Sequence, residues 1–357
     1  MNGIEQLSDI ERLKVLKSIK LACSNDNEFK PYLESYAGSL GVIEASRRVD
    51  GLLLEDEFLL LCKLMKSCFV INGLDQGLTI DNKIKVPDYL AVFDIRNCMY
   101  DSGSLLQKLS AFVEVKTTVN SETKKLGAGF LKKYSDYADT FGIPLLIASR
   151  LKISEQQQWW VIQTQEQFQN NGRKANVECL TNSVGHVILN DCFITAIQDI
   201  YVEKTFTKYP SMSKGYYPKY GHLKSVTVKT GKSTIVLEDS NFLFNLFLDC
   251  FAQRQLLIKQ HGEDCIVTSV IDFMQDQLLS DMLLRANFCI LDGQGNKYAS
   301  ASRLLALVES GNAKILYRDF IERSLYFFNS ENSLFMVTRI GDEVTNQDIV
   351  RTLLAKG

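Results

Sequence analysis

Residues 83–95 read KIKVPDYLAVFDI and residues 112–118 read FVEVKTT. Both are short runs rich in β-branched and aromatic residues, bounded by polar segments, and so read as strands. Side chains two apart on a strand share a face. Glu114 and Lys116 therefore project together, while Val113 and Val115 point the opposite way. Charges set among apolar residues are costly to bury unless they are paired or bound to a metal. In a hairpin of these two strands, Asp88 lies beside Glu114. Two hard carboxylate oxygens a few ångströms apart suit Mg²⁺. A lysine next to such an ion can orient a water or stabilise charge on a phosphate.

Working outward, a helix is expected from Glu55 to about Val70, then a short strand over residues 77–80 and a turn at Asp81-Asn82. Residues 97–109 are polar and read as a long hairpin loop. Lys124 to Phe141 reads as a basic helix stopped by Gly142, with Pro144 beyond it. Residues 144–149 (PLLIAS) and 159–164 (WWVIQT) read as strands. Ser8-Asp9-Ile10-Glu11 is a capping box for an N-terminal helix with Ile10, Leu13, Leu16 and Ile19 on one face. A second helical segment covers about 36–50. Residues 165–176 read as a linker, and 177–236 as mainly β or irregular. From Asn241 the pattern turns helical over 241–260, 266–287, 301–310, 314–328 and 344–355, with a strand near 334–339.

Asp88…Glu114-Val115-Lys116, with Pro87 before the aspartate, resembles the PD-(D/E)XK nuclease superfamily, which has the restriction-endonuclease-like fold. The resemblance covers about 55–165. It implies an α/β N-terminal domain (1–165) with an αβββαβ core and a mixed central sheet. Residues 166–357 would be a mainly helical (α+β) C-terminal domain for substrate binding, specificity or oligomerisation. It further implies a metal-dependent endonuclease acting on DNA, with Mg²⁺ as cofactor or Mn²⁺ in its place. Asp88, Glu114 and the carbonyl of Val115 would be ligands, and Lys116 would contact the attacking water or the scissile phosphate.

Many members add an acid from the preceding helix. Glu57 shares a face with Leu61, Leu64 and Cys68 and is preferred, while Glu55 lies on a more mixed face. Asp94 is on the same strand face as Asp88 but roughly 20 Å further along. From the helix after the motif, Lys132 and Lys133 are candidates for backbone phosphate. A restriction-like or phage-defence role and a homodimer are expectations by analogy. A fold that keeps no activity and serves binding or assembly is the alternative, and RNA as substrate stays open. The intact Asp88, Glu114 and Lys116 set argues for activity.

A second basic segment runs from Lys204 to Lys232. It holds seven lysines and no acid, interleaved with Tyr209, Tyr216, Tyr217 and Tyr220. Lysines neutralise phosphates and aromatic faces stack on bases, so Lys214, Lys219, Lys224 and Tyr217 are nucleic-acid-binding candidates. Gly231-Lys232-Ser233 lacks the upstream glycine of a phosphate-binding loop, since Val226 stands there.

The chain has 357 residues, 46% hydrophobic and 23% charged, with a formal charge of −2. That is the composition of a folded globular protein of about two domains. No run approaches 18 apolar residues, so no membrane span is expected. The stretch from Met1 to Cys23 carries Glu5, Asp9 and Glu11 and is not a signal peptide. Nine dispersed cysteines without a CxxC pair fit reduced thiols in the cytoplasm. Three scattered histidines disfavour a His-based metal site or hydrolase.

Overall fold

The computed structural model of the chain describes all residues except 1–6, 24, 76–82, 96–107, 119–120, 155–156, 211–213, 294–299, 331–332 and 342–357. The strand expected at 77–80, the helix at 344–355 and most of the loop at 97–109 lie outside the described residues. The chain divides into two compact units. One comprises Met1–Asp191, Lys297–Lys314 and Ile340–Gly357, and the other Cys192–Asn296 and Ile315–Arg339.

The first unit begins with α1 (Asp9–Ala22), α2 (Asp26–Tyr36) and α3 (Val42–Met65). The Ser8 hydroxyl accepts from the Glu11 N–H, and the Glu11 carboxylate accepts from the Ser8 N–H, so the expected capping box forms. Leu13, Leu16, Phe29, Leu33, Ala45 and Val49 pack these helices together. α3 is longer than expected at its start and shorter at its end. Lys66 takes a left-handed conformation (φ 54°), which closes the helix. β1 (Cys68–Gly73) follows at once, where the apolar run CFVIN reads equally as helix.

Next come β2 (Tyr89–Asp94), β3 (Lys108–Thr117), the two-residue strand β4 (Lys124–Lys125), α4 (Ala128–Phe141), β5 (Leu145–Lys152) and β6 (Gln158–Thr164). Gly142 (φ 64°) ends α4 and donates to the carbonyls of Ala138 and Asp139. Five strands form one mixed sheet in the order β1-β2-β3-β5-β6. The β3–β5 pair is parallel, and the others are antiparallel. Omitting β4, the run from α3 to β5 is thus helix, three strands, helix, strand. Phe58 of α3 packs on Tyr89 and Trp160 with ring centroids 6.3 and 5.4 Å apart. This is how α3 is held over the sheet.

The segment expected as a linker is structured. It forms α5 (Gln165–Asn170) and β7 (Lys174–Ala175), and β7 pairs antiparallel with β4. Thr164 and Gln167 make a capping box there, and Phe168 is fully buried. α6 (Gly185–Ile188) ends this stretch.

The second unit contains β8 (Cys192–Ala196), β9 (Ile200–Thr207), β10 (Tyr216–Tyr217), β11 (Gly221–Lys229), β12 (Thr234–Val236), α7 (Asn245–Asp249), β13 (Arg254–His261), β14 (Asp264–Ile271), β15 (Asp276–Leu278) and α8 (Leu279–Gly293). α9 (Ala301–Glu309) belongs to the first unit, where Ser302 donates to Asp56 of α3. α10 (Arg318–Asn329) and β16 (Phe335–Arg339) complete the second. Its sheets run β10-β11-β9-β14-β13, with β12 on β11, and β15-β8-β16. The mainly helical C-terminal half is therefore corrected. Residues 254–271 are a β-hairpin, with His261 opposite Asp264 and Gly262 (φ 61°) in the two-residue turn. The β-branched run IVTSVI favours a strand there over the expected helix.

Candidate active site

Register brings the motif together. Tyr89 pairs with Val113 across β2 and β3, so Asp88, just ahead of β2, comes level with Glu114. The Val115 N–H donates to Asp88 Oδ2 at 2.7 Å. Both acids are sequestered: Asp88 is 8% exposed and Glu114 1%. Lys116 Nζ donates to Glu114 Oε1 and, at 3.0 Å, to the carbonyl of Val115. Its ammonium thus spans two of the oxygen atoms that the sequence motif offers to a cation. Asp94 sits at the other end of β2, opposite Lys108, and takes no part.

The electrostatics are those of crowded carboxylates. Burial, and then the Asp88 charge, push Glu114 up to about 8. Burial followed by Asp88 does the same to Glu55, with Glu114 adding to it and Lys116 and Lys17 opposing. Burial alone would lower Lys116, but the Glu114 and Asp88 carboxylates outweigh it and hold the ammonium up.

Glu57 is not in this cluster. Arg150 Nε donates to Glu57 Oε1 at 2.8 Å and Trp160 Nε1 donates to the same atom at 3.2 Å. Both its partners come from β5 and β6. The preference for Glu57 gives way to Glu55, which feels the charges of Asp88, Lys116 and Glu114. A helical wheel cannot separate the two, because α3 buries residues on more than one face and the partners of Glu57 are remote in sequence.

Tyr134 of α4 was not singled out by sequence. Its ring lies 5.6 Å from Lys116 Nζ, and its hydroxyl is pushed up by burial and by Glu114. Its hydroxyl is the polar group that α4 brings to Glu114, whose Oε2 is buried without a hydrogen bond of normal geometry. Lys132 is neutralised by Asp136 at 2.7 Å. The Lys133 carbonyl accepts from the Lys85 N–H at 3.1 Å, which ties the segment leading to Asp88 onto α4.

Do these residues fit a divalent metal? Three carboxylates (Asp88, Glu114 and Glu55) and one backbone carbonyl are hard oxygen donors of the kind that Mg²⁺ or Mn²⁺ prefers. Among the described residues, no group of three or more His, Cys, Asp or Glu side chains is placed so that it could hold a metal ion as it stands. Lys116 holds the space between Glu114 and Val115 instead. The donor chemistry fits, and binding a cation would need Lys116 to give way.

A pH dependence follows. Glu55 and Glu114 sit near 8 when folded, against 4.5 ordinarily. Between those values the folded site keeps protons that the unfolded chain releases, so metal-free protein loses stability as pH rises. In EDTA, melting temperature should fall from pH 5 to pH 8.5, and fall less in Glu55→Gln. An equal fall in both proteins would count against the cluster.

In the second unit the basic segment is largely answered by acids. Lys204 pairs with Asp249, Lys208 with Glu263 at 3.1 Å, Lys214 with Asp239, Lys224 with Asp264 at 2.7 Å and Lys229 with Glu203 at 3.0 Å. The segment has no acid of its own, but the fold supplies one to five of its seven lysines. Lys219 lies 5.0 Å from the Tyr220 ring. Tyr217 is no stacking platform: its hydroxyl donates to Asp249 Oδ2 at 2.6 Å, and Asn245 Nδ2 donates to that hydroxyl at 2.9 Å. Asp249→Ala should leave the Lys204 ammonium buried and unpaired, at a cost of roughly 3–5 kcal/mol. Denaturant unfolding measures this, and the salt dependence of DNA binding should not change.

Among the described residues, no helix is long and apolar enough to cross a membrane. No protein-family model matches the chain, and no curated protein matches it in sequence. Among solved structures, the chain is similar to Hjc, a Holliday junction resolvase from the archaeal hyperthermophile Archaeoglobus fulgidus, whose structure is at 1.6 Å resolution. The identity is 17%, over 38% of this chain and 98% of that one, with a TM-score of 0.27. Likeness at that level carries no weight beside the geometry of the cluster itself.

Proposed function

We propose that the chain is a metal-dependent endonuclease that hydrolyses phosphodiester bonds in DNA, with its site at the Asp88, Glu114 and Lys116 cluster. One observation carries this reading: Asp88 and Glu114-Val115-Lys116 are assembled on neighbouring strands, where the two carboxylates are buried side by side with the Lys116 ammonium. Asp88, Glu114, the Val115 carbonyl and Glu55 would hold Mg²⁺ or Mn²⁺. Such an ion supplies neutralisation of the phosphate and a bound water of lowered pKa.

The protein's own groups do the rest. Asp88 is aimed by the Val115 N–H. Lys116, released from Glu114, donates to a non-bridging phosphate oxygen and stabilises the charge that develops there. The ring of Tyr134 flanks that ammonium and limits its swing. Water oxygen joins phosphorus and gives up a proton to solvent, the bond to the leaving oxygen breaks, and that oxygen takes up a proton from solvent.

The test is cleavage of supercoiled plasmid, linear duplex, single-stranded DNA and RNA, each with Mg²⁺, Mn²⁺ or EDTA. Metal-dependent cutting of DNA supports the proposal, and a preference for RNA would overturn its substrate. A second reading also has an observation behind it. Lys116 already neutralises Glu114 and spans to Val115, as it would in a fold that binds partners without cutting. In that case neither metal binds and no substrate is cut.

A further inference from the structure

Several cations of the first unit are answered by an acid. Lys17 pairs with Asp56 at 2.7 Å, Arg150 with Glu57, Lys132 with Asp136, and Lys116 with Glu114. The two-stranded ribbon of β4 and β7 is different. It carries Lys124 and Lys125 on one strand and Lys174 on the other, with Arg173 at the turn before β7. None of the four has a carboxylate partner among the described residues.

Their placement is unfavourable without an anion. Lys125 stands directly opposite Lys174, and like charges opposed across a ladder destabilise it. The Leu126 N–H donates to the carbonyl of Arg173, which is itself held left-handed at φ 59°. That is a conformation costly for a residue with a side chain. Lys124 is half-buried, and its Nζ donates at 3.0 Å to the carbonyl of Thr117, the residue after Lys116. Burial and the nearby charges of Lys116 and Arg47 both lower its pKa. Repulsion of this kind, in a ribbon tied to the motif strand through Lys124 and Thr117, is what a chain of phosphates relieves.

We propose that the β4–β7 ribbon is the surface that binds the DNA backbone entering the cluster. Lys124 takes the phosphate nearest the site, and Lys125, Arg173 and Lys174 take those beyond it. The basic function expected of residues 204–232 moves to this ribbon. Interactions with phosphate position a strand without reading its bases, so this surface sets affinity and register rather than sequence preference. The inference rests on the nuclease reading given above.

The experiment measures binding of the full chain to a labelled DNA duplex in EDTA across a salt series, with cleavage in Mg²⁺ run alongside. Lys125→Gln/Lys174→Gln and Lys124→Gln are compared with wild type and with Lys30→Gln, an exposed lysine on α2. Each phosphate that a variant no longer neutralises should lower the slope of log affinity against log salt by about 0.9. The double variant should therefore flatten the slope by about twice that, Lys124→Gln by about one such step, and Lys30→Gln not at all. If wild type binds and cuts DNA but the ribbon variants keep its slope, or Lys30→Gln flattens it as much as they do, the ribbon assignment is wrong and the nuclease reading stands. If wild type neither binds nor cuts DNA, the nuclease reading fails and the ribbon assignment falls with it.

Discussion

Lys116→Ala should slow cutting by orders of magnitude while leaving metal binding intact or stronger. In the folded chain the Lys116 ammonium occupies the space between Glu114 Oε1 and the Val115 carbonyl. Removing it clears those two oxygens for a cation and takes away an opposing positive charge, so affinity for Mn²⁺ should not fall. Turnover should fall by about 10²–10³-fold, the usual loss when one donor to a developing oxyanion is removed. Calorimetry and a single-turnover cleavage assay on the same preparation separate the two effects. A variant that loses metal binding with cleavage would make Lys116 a structural prop for Glu114. One that cuts normally would remove it from the chemistry.

The second large effect concerns stability. Glu57 and Arg150 form an ion pair with side chains 4% and 10% exposed, braced by Trp160. Such a pair contributes little net energy when intact, but losing one partner strands a buried charge. Arg150→Met should cost roughly 3–5 kcal/mol in denaturant unfolding. Adding Glu57→Gln should recover most of that, because a neutral amide can still accept from Trp160 without an unpaired charge. Neither change should weaken metal binding, whereas Glu55→Gln should. An Arg150→Met protein as stable as wild type would mean that the pair is open to water. Loss of metal affinity in Glu57→Gln would return Glu57 to the site.

These contrasts mark what the sequence could and could not disclose. The pairing of Asp88 with the Glu114–Lys116 strand was legible because both runs carry strand residues and the period of two puts the charges on one face. The helix acid was not. Glu55 and Glu57 both sit on a helix that is buried on more than one side, and tertiary neighbours separate them: β5 and β6 take Glu57, while Glu55 feels the charges at β2 and β3. The basic segment misled for a related reason. Its lack of acids is a local property, while Asp239, Asp249, Glu263, Asp264 and Glu203 reach it from other strands and turns.

Element boundaries failed where the local code is ambiguous. FLLLCKLMKSCFV has no glycine or proline to mark the end of α3, and Lys66 supplies the left-handed turn instead. The hairpin of β13 and β14 could have been found. His261-Gly262-Glu263-Asp264 is a turn signal between two strands, and hydrophobic content alone does not distinguish strand from helix there.

Metal binding to the cluster is the claim on which the rest depends, and it can be measured without a substrate. Wild type and Asp88→Asn would be titrated with Mn²⁺ and with Mg²⁺ by calorimetry at pH 8. The expected result is saturable binding by wild type, with protons released as Glu55 and Glu114 ionise, and at least a tenfold loss in the variant, about 1.4 kcal/mol. Wild type that binds neither ion, or binds no better than Asp88→Asn, would contradict it.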